Sequence, residues 1–272
     1  MPSRSGGFKA RLTALIVSWL LSLPTISSTF WLPMWIALSI IFPTIFNYFP
    51  ESPAPLRIDW IPQWVFRILY IPWIPFMIIP GSEWLTEYLL LPWLWTNTPL
   101  MIVITAVRPI LAFGGLLFFA GSLTQLLIYK RRGVKLVTSG FYGIVRHPQY
   151  LGILVWTFGH ILYALPLFLR PADLIAWVTL VYLYILLARS EERSLTRIFE
   201  EEYSEYRERT SFIIPFTPAR ISRFISISIE RYTPRDRWAR IALKATIYIL
   251  AITLIICLSY GRTYCFKDKP PV

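Results

Sequence analysis

The stretch LVTSGFYGIVRHPQYLG at residues 136 to 152, read with RSEERSLTRIFEEEYSEYRER at 189 to 209, decides the architecture of this chain. Both border long apolar runs, so polar and ionisable side chains are concentrated where a membrane span meets water. Between them lie two apolar segments, Tyr150 to Leu169 and Ala172 to Leu187, joined only by RPAD. A connection that short forces an antiparallel hairpin. Both legs then return to one membrane face, which predicts that the RHP motif and the Glu-rich stretch sit side by side.

The composition supports a membrane setting. The chain has 272 residues, 56% of them hydrophobic, 17% aromatic and 15% charged, with a mean hydropathy of +0.54. That is too apolar for an ordinary soluble domain. The net charge of +12 comes from Lys and Arg at the ends of apolar runs, where they hold loops in the cytoplasm and meet anionic head groups. This placement argues against nucleic acid as a partner and for membrane lipids. Cys257 and Cys265 form no disulfide framework, Cys257 reading as a packing residue, and with His147 and His160 as the histidines no metal site is expected.

The expected fold is an all-α polytopic bundle. The basic start MPSRSGGFKAR precedes an apolar run from Leu12 to Pro24, read as an anchor with a cytoplasmic N-terminus, and Phe30 to Phe49 follows as a second span. The Pro- and Trp-rich region from Pro50 to Pro99 suits a broken or tilted span near Ile61 to Ile79, then an interfacial segment. A clearer span runs from Arg108 to Tyr129 and ends in Lys130, Arg131 and Arg132, with Gly114, Gly115 and Gly121 as places for close helix packing. After the hairpin, 189 to 209 reads as a separate interfacial helix with Leu195, Ile198, Phe199 and Tyr206 on its apolar side. A basic segment and a last span, Ile241 to Leu258, complete about six or seven crossings. The expected organisation is 1–107 N-terminal membrane region, 108–216 core carrying both polar stretches on the cytoplasmic face, and 217–272 basic segment and final span.

Residues in this core have two readings each. Arg146, His147, Pro148, Gln149 and Tyr150 occupy a helix start, where Pro fits the first turn and free N–H groups receive an anion such as a carboxylate. His147 suits hydrogen bonding or acid–base work near neutral pH, while the plainer reading anchors Arg146 and His147 at the head groups. Glu191 and Glu192 point about 100° apart on a helix, so one faces a ligand and the other pairs with Arg189, Arg193 or a basic loop residue. Glu200, Glu201 and Glu202 read as a solvated face. Mid-span His160 is either a functional group or a neutral histidine bonded to a neighbouring helix, and Arg108 marks an interface or a break.

LVTSGFYGIVRHPQYLG, a span pair and then EERSLTRIFEEEYSEYRERTSFIIPF resemble the catalytic half of the isoprenylcysteine carboxyl methyltransferase family, related in pattern to phospholipid methyltransferases, from about Arg108 to Phe216. The resemblance implies an S-adenosylmethionine-dependent methyltransferase with a cytosol-facing cofactor pocket and a lipophilic or lipidated acceptor from the bilayer. It places Leu136, Val137, Tyr142, His147, Pro148, Tyr150 and Glu191 around the cofactor, with Arg146 beside them. On this reading backbone groups and His147 hold the methionine carboxylate, Tyr142 or Tyr150 packs on the adenosine or sulfonium side, and Glu191 takes the amino group. Alignment of donor and acceptor in a dry site carries the chemistry. A carboxylate acceptor needs no base; an amine or phenol makes His147, Glu191 and Glu192 the candidates. The chain departs from the family at Leu187, where a substrate-binding arginine is expected and Arg189 is offered instead, and at Val134, where a histidine is common. Two other readings stand beside it: an NADPH-dependent sterol-reductase-like enzyme and a non-catalytic membrane scaffold.

Overall fold

The computed structural model describes residues 33–41, 78–86, 97–164, 170–215 and 236–267. Helices dominate them, and the one extended pairing among the described residues is an isolated parallel bridge between Val145 and Ser211. The expected span Leu12 to Pro24, most of Ile61 to Ile79 and the basic segment after Pro218 lie outside the described residues. Of Phe30 to Phe49, residues 33–41 are helical and place Ala37 and Ile40 in the core.

Helix α1 spans Thr98–Arg131. It begins well before Arg108, because Asn97 caps it: its Oδ1 accepts the Leu100 N–H at 3.2 Å, and proline occupies the first turn. Pro109 lies inside the helix, as an apolar membrane setting tolerates, so of the two readings of Arg108, an interface or a break, the break does not occur. The end is sharp. Gly133 takes φ +76°, its N–H bonds the Lys130 carbonyl and the Val134 N–H bonds the Tyr129 carbonyl, both near 3 Å, which closes the basic end as a Schellman motif. One face buries Ile104, Ala112, Gly115, Phe119 and Leu123, while Ile102, Val103, Ile110, Phe113 and Leu117 are exposed.

Helix α2, Phe141–Ile144, is one turn within the motif loop. Helix α3, Pro148–Ala164, packs back on α1 at very short range. A methyl group added at Gly152 would meet the Phe119 backbone, one at Gly159 the Ala112 backbone, and one at Gly115 the Trp156 backbone. Close packing through Gly115 was legible; Gly114 instead faces open space and Gly121 faces the ring of Phe141.

Helix α4, Pro171–Arg209, runs antiparallel to α3. The Trp177 indole donates to the Leu154 carbonyl at 3.0 Å, Phe158 packs on Trp177, and nearer the motif Tyr150 stacks on Tyr184 with centroids 4.7 Å apart. The hairpin inferred from RPAD is therefore present. The expected separate helix from 189 is not. With no Pro or Gly between Leu187 and Arg209, α4 continues unbroken from its apolar part and departs from helical geometry only at Glu200, at φ 37° and ψ −104°. Beyond this break Tyr203 and Tyr206 are buried, whereas Ile198, before it, is 69% exposed.

Helix α5, Arg237–Lys267, joins α4 through the Tyr248 hydroxyl, 2.8 Å from Thr179 Oγ1, and the stacking of Tyr248 on Tyr182. Among the described residues three helical segments are long and apolar enough to cross a membrane: Thr98–Arg131, Pro171–Arg209 and Ile241–Ser259.

Candidate active site

The site lies where the motif loop, the start of α3 and the surface-proximal part of α4 meet. Gln125 of α1 positions the loop, donating from Nε2 to the Ser139 carbonyl at 2.7 Å and accepting the Phe141 N–H at 3.0 Å. Gly140, at φ +62°, leaves room for that amide. Phe141 sets its ring edge-on to Phe118, and the loop delivers Leu136, half-buried, and Val137 and Tyr142, both buried. The Tyr142 hydroxyl donates to Gln149 Oε1 at 3.0 Å, and its carbonyl receives the Tyr206 hydroxyl at 2.7 Å. Burial holds the Tyr142 phenol far above its ordinary range, so it stays neutral.

Arg146 is committed to the protein. Its Nε meets Glu192 Oε1 at 2.6 Å, and Nη1 donates to the carbonyls of Arg207 and Thr210 at 2.8 and 2.6 Å. Its backbone N–H bonds the Ser211 carbonyl at 2.9 Å, and its guanidinium lies over the Phe212 ring. One arginine thus ties the motif loop to the tail beyond Glu200.

His147 precedes Pro148, and its carbonyl accepts the Leu151 N–H, opening α3. The imidazole is buried between Tyr150, stacked at 5.5 Å, and the edge-on Phe212. Each nitrogen faces a carboxylate: Nδ1 stands 3.5 Å from Glu191 Oε2, and Nε2 stands 3.6 Å from Glu192 Oε1. Nε2 has no hydrogen-bond partner. Burial lowers the proton affinity of this imidazole, but the close carboxylates of Glu191 and Glu192 outweigh it, and the pKa is raised.

The two glutamates therefore have different surroundings. Glu192 is held by Arg146. Glu191 gives Oε1 to the Tyr150 hydroxyl at 2.6 Å and keeps a side chain 37% exposed. Adjacent carboxylates were expected to diverge, with one of them paired to a basic residue; Arg146 is that residue, while His147 spans both. Arg189 is exposed, as are Arg193 and Arg197 on the same side of α4, and Leu187 packs against the core. Pro148 is buried at the first turn of α3. His160 bonds through Nδ1 to the Trp156 carbonyl of its own helix at 2.9 Å, away from this cluster. No group of three His, Cys, Asp or Glu able to hold a metal occurs among the described residues.

Tyr203, Tyr206 and Phe212 were not singled out as closing the site. The EYxxY spacing in the tail was the available signal, but the break at Glu200 decides where those rings point.

The sequence profile of the isoprenylcysteine carboxyl methyltransferase family matches residues 101–197. The chain is 30% identical over 147 residues to protein-S-isoprenylcysteine O-methyltransferase B of Arabidopsis thaliana, covering 52% of this chain and 72% of that protein. It is 38% identical over 79 residues to methanethiol S-methyltransferase 1 of Bradyrhizobium diazoefficiens, 29% of this chain and 26% of that protein. With the Saccharomyces cerevisiae protein-S-isoprenylcysteine O-methyltransferase it shares 35% identity over 82 residues, 30% of this chain and 33% of the relative. No solved structure matches.

Proposed function

Because the chain belongs to the isoprenylcysteine carboxyl methyltransferase family and is a membrane methyltransferase, we propose that it moves the methyl group of S-adenosylmethionine to a lipophilic acceptor reaching the cytoplasmic face from the bilayer. The observation that carries this reading is the meeting of His147 and Tyr150 with Glu191 across the α3–α4 hairpin.

The residues present fit this cofactor. Its amino group calls for a carboxylate that is fixed yet reachable, and Glu191, held by Tyr150 and partly exposed, is one. Its carboxylate calls for N–H donors such as those of the first turn of α3. Leu136, Val137 and Tyr142 supply an apolar wall on the loop side. When bound, the cofactor offers a sulfonium methyl with a neutral leaving group, so the protein's work is alignment and exclusion of water. Arg146 serves here by fixing Glu192 and the tail, and Arg189 by facing the head groups with Arg193 and Arg197.

The Arabidopsis relative's name supports a lipidated carboxylate as acceptor. The methanethiol methyltransferase match, together with Leu187 at the position of the expected arginine, favours a thiol as the second class. The reported matches are methyltransferases, which favours methyl transfer over the reductase and scaffold readings.

Calorimetry on detergent-solubilised protein tests the cofactor. Saturable binding of S-adenosylmethionine, weakened at least about tenfold in Glu191→Gln through loss of a charge-assisted contact, is expected. Binding of NADPH in its place would overturn the reading.

A further inference from the structure

Glu191, His147, Glu192 and Arg146 form one contiguous charge cluster around a buried imidazole, open to the outside at Glu191: Glu191 is 3.5 Å from the imidazole, the imidazole 3.6 Å from Glu192, and Glu192 2.6 Å from the guanidinium. Tyr150 donates to Glu191 and stacks on the imidazole, Phe212 meets it in a T-shaped contact, and the ring is buried. With the carboxylates ionised and Arg146 charged, the cluster carries zero net charge when His147 is protonated and minus one when it is neutral. A buried site strongly resists an uncompensated charge of either sign.

S-adenosylmethionine brings an ammonium, a sulfonium and a carboxylate, a net charge of plus one. We infer that His147 is a positioning residue that supplies the cluster's missing positive charge while the donor is absent and releases its proton when the cationic donor settles on Glu191. One cation replaces another. A neutral His147 leaves Glu191 free of a competing imidazolium, so the carboxylate meets the donor's ammonium at full strength. Methyl transfer leaves a neutral thioether, which lowers the donor's charge by one, and the imidazole takes up a proton again. With a protic acceptor that proton is the one the acceptor loses; with a carboxylate acceptor it comes from solvent. The groups facing the imidazole are Glu191 and Glu192 from α4, Tyr150 from α3 and, through Glu192, Arg146 from the loop. The raised proton affinity of His147 agrees with a ring that is charged before the donor arrives.

This rests on the cofactor reading above, and one titration separates the two. S-adenosylmethionine is titrated into full-length protein in detergent at about pH 6, below the range in which an α-amino group titrates, in two buffers of different ionisation enthalpy. The expected result is release of close to one proton per donor bound, with Kd falling by about tenfold per pH unit until the imidazole is neutral and level above that. His147→Gln, which keeps the hydrogen-bonding shape without the charge, should bind with no proton release and a flat Kd between pH 6 and 7. His160→Gln should behave as the parent protein, which keeps the test sharp if the buried substitution fails to fold. Binding without proton release in the parent protein overturns this inference alone, as does undiminished release in folded His147→Gln. Absence of donor binding in folded parent protein overturns the cofactor reading and this inference with it.

Discussion

The α3–α4 hairpin carries a buried arginine–carboxylate pair at each end, and the two ends differ in how completely they are satisfied. At the far turn Arg170 directs Nε and Nη2 to the single oxygen Oδ1 of Asp173, at 3.0 and 2.5 Å, within a few residues of chain. At the motif end Arg146 holds Glu192, but a histidine with an unmatched nitrogen and a second, half-open carboxylate are added. The first arrangement is complete in itself. The second leaves polar capacity unused in a place where burial makes it costly, and such capacity is what a ligand can satisfy.

Removing each clasp should separate these roles. Arg146→Ala strands Glu192 and two carbonyls, and should lower the stability of detergent-solubilised protein by about 3–5 kcal/mol, read by chemical denaturation. A loss under about 0.5 kcal/mol would mean that the clasp does not hold the motif end, since a surface pair alone accounts for that much. Asp173→Asn leaves Arg170 uncompensated and should cost about 3 kcal/mol, with donor affinity per folded molecule unchanged. A tenfold loss of affinity would break the comparison, because the far pair would then be shaping the site.

Packing along α1 gives a third contrast. Gly152→Ala and Gly159→Ala force a methyl group into the backbone of α1 near the site and far from it, and each should cost about 1–3 kcal/mol. Gly152→Ala should also weaken donor binding and Gly159→Ala should not, as calorimetry would record. Gly114→Ala, facing open space, is the neutral control.

The smallest effect is on pH. The pKa of His147 is raised above its ordinary 6.5, so its contribution to stability is present in full below that value and is lost as pH rises through the higher folded value. Denaturation midpoints of the parent protein should therefore fall over that window. His147→Gln should flatten this slope.

Much of this was legible in the sequence because topology is governed by apolar length and turn size. RPAD was too short for anything but a hairpin, so the meeting of the RHP motif and the Glu-rich stretch at one end followed before any coordinates. What was hidden depended on register and on competition between partners. Arg146 could be seen at the site, but not that the carbonyls of Arg207 and Thr210 would claim it. Arg108, beside Pro109, read as an interface or a break, and no break forms there because the rule against interior proline is weaker in an apolar surround. Glu200 carries no signal at all, being an ordinary helix former in an acidic run, yet the helix breaks there, and Tyr203 and Tyr206 beyond it are buried.

The turn at Arg170 also fixes phase. His147 stands at one end of α3 and Glu191 far along α4, so they meet only if two helices keep step from the turn onward, each residue advancing about 1.5 Å and about 100°. A residue added to either leg would leave the hydropathy almost untouched and still swing Glu191 away from the imidazole. The hairpin is a vernier, two helical scales read against each other, and the far turn is its zero mark.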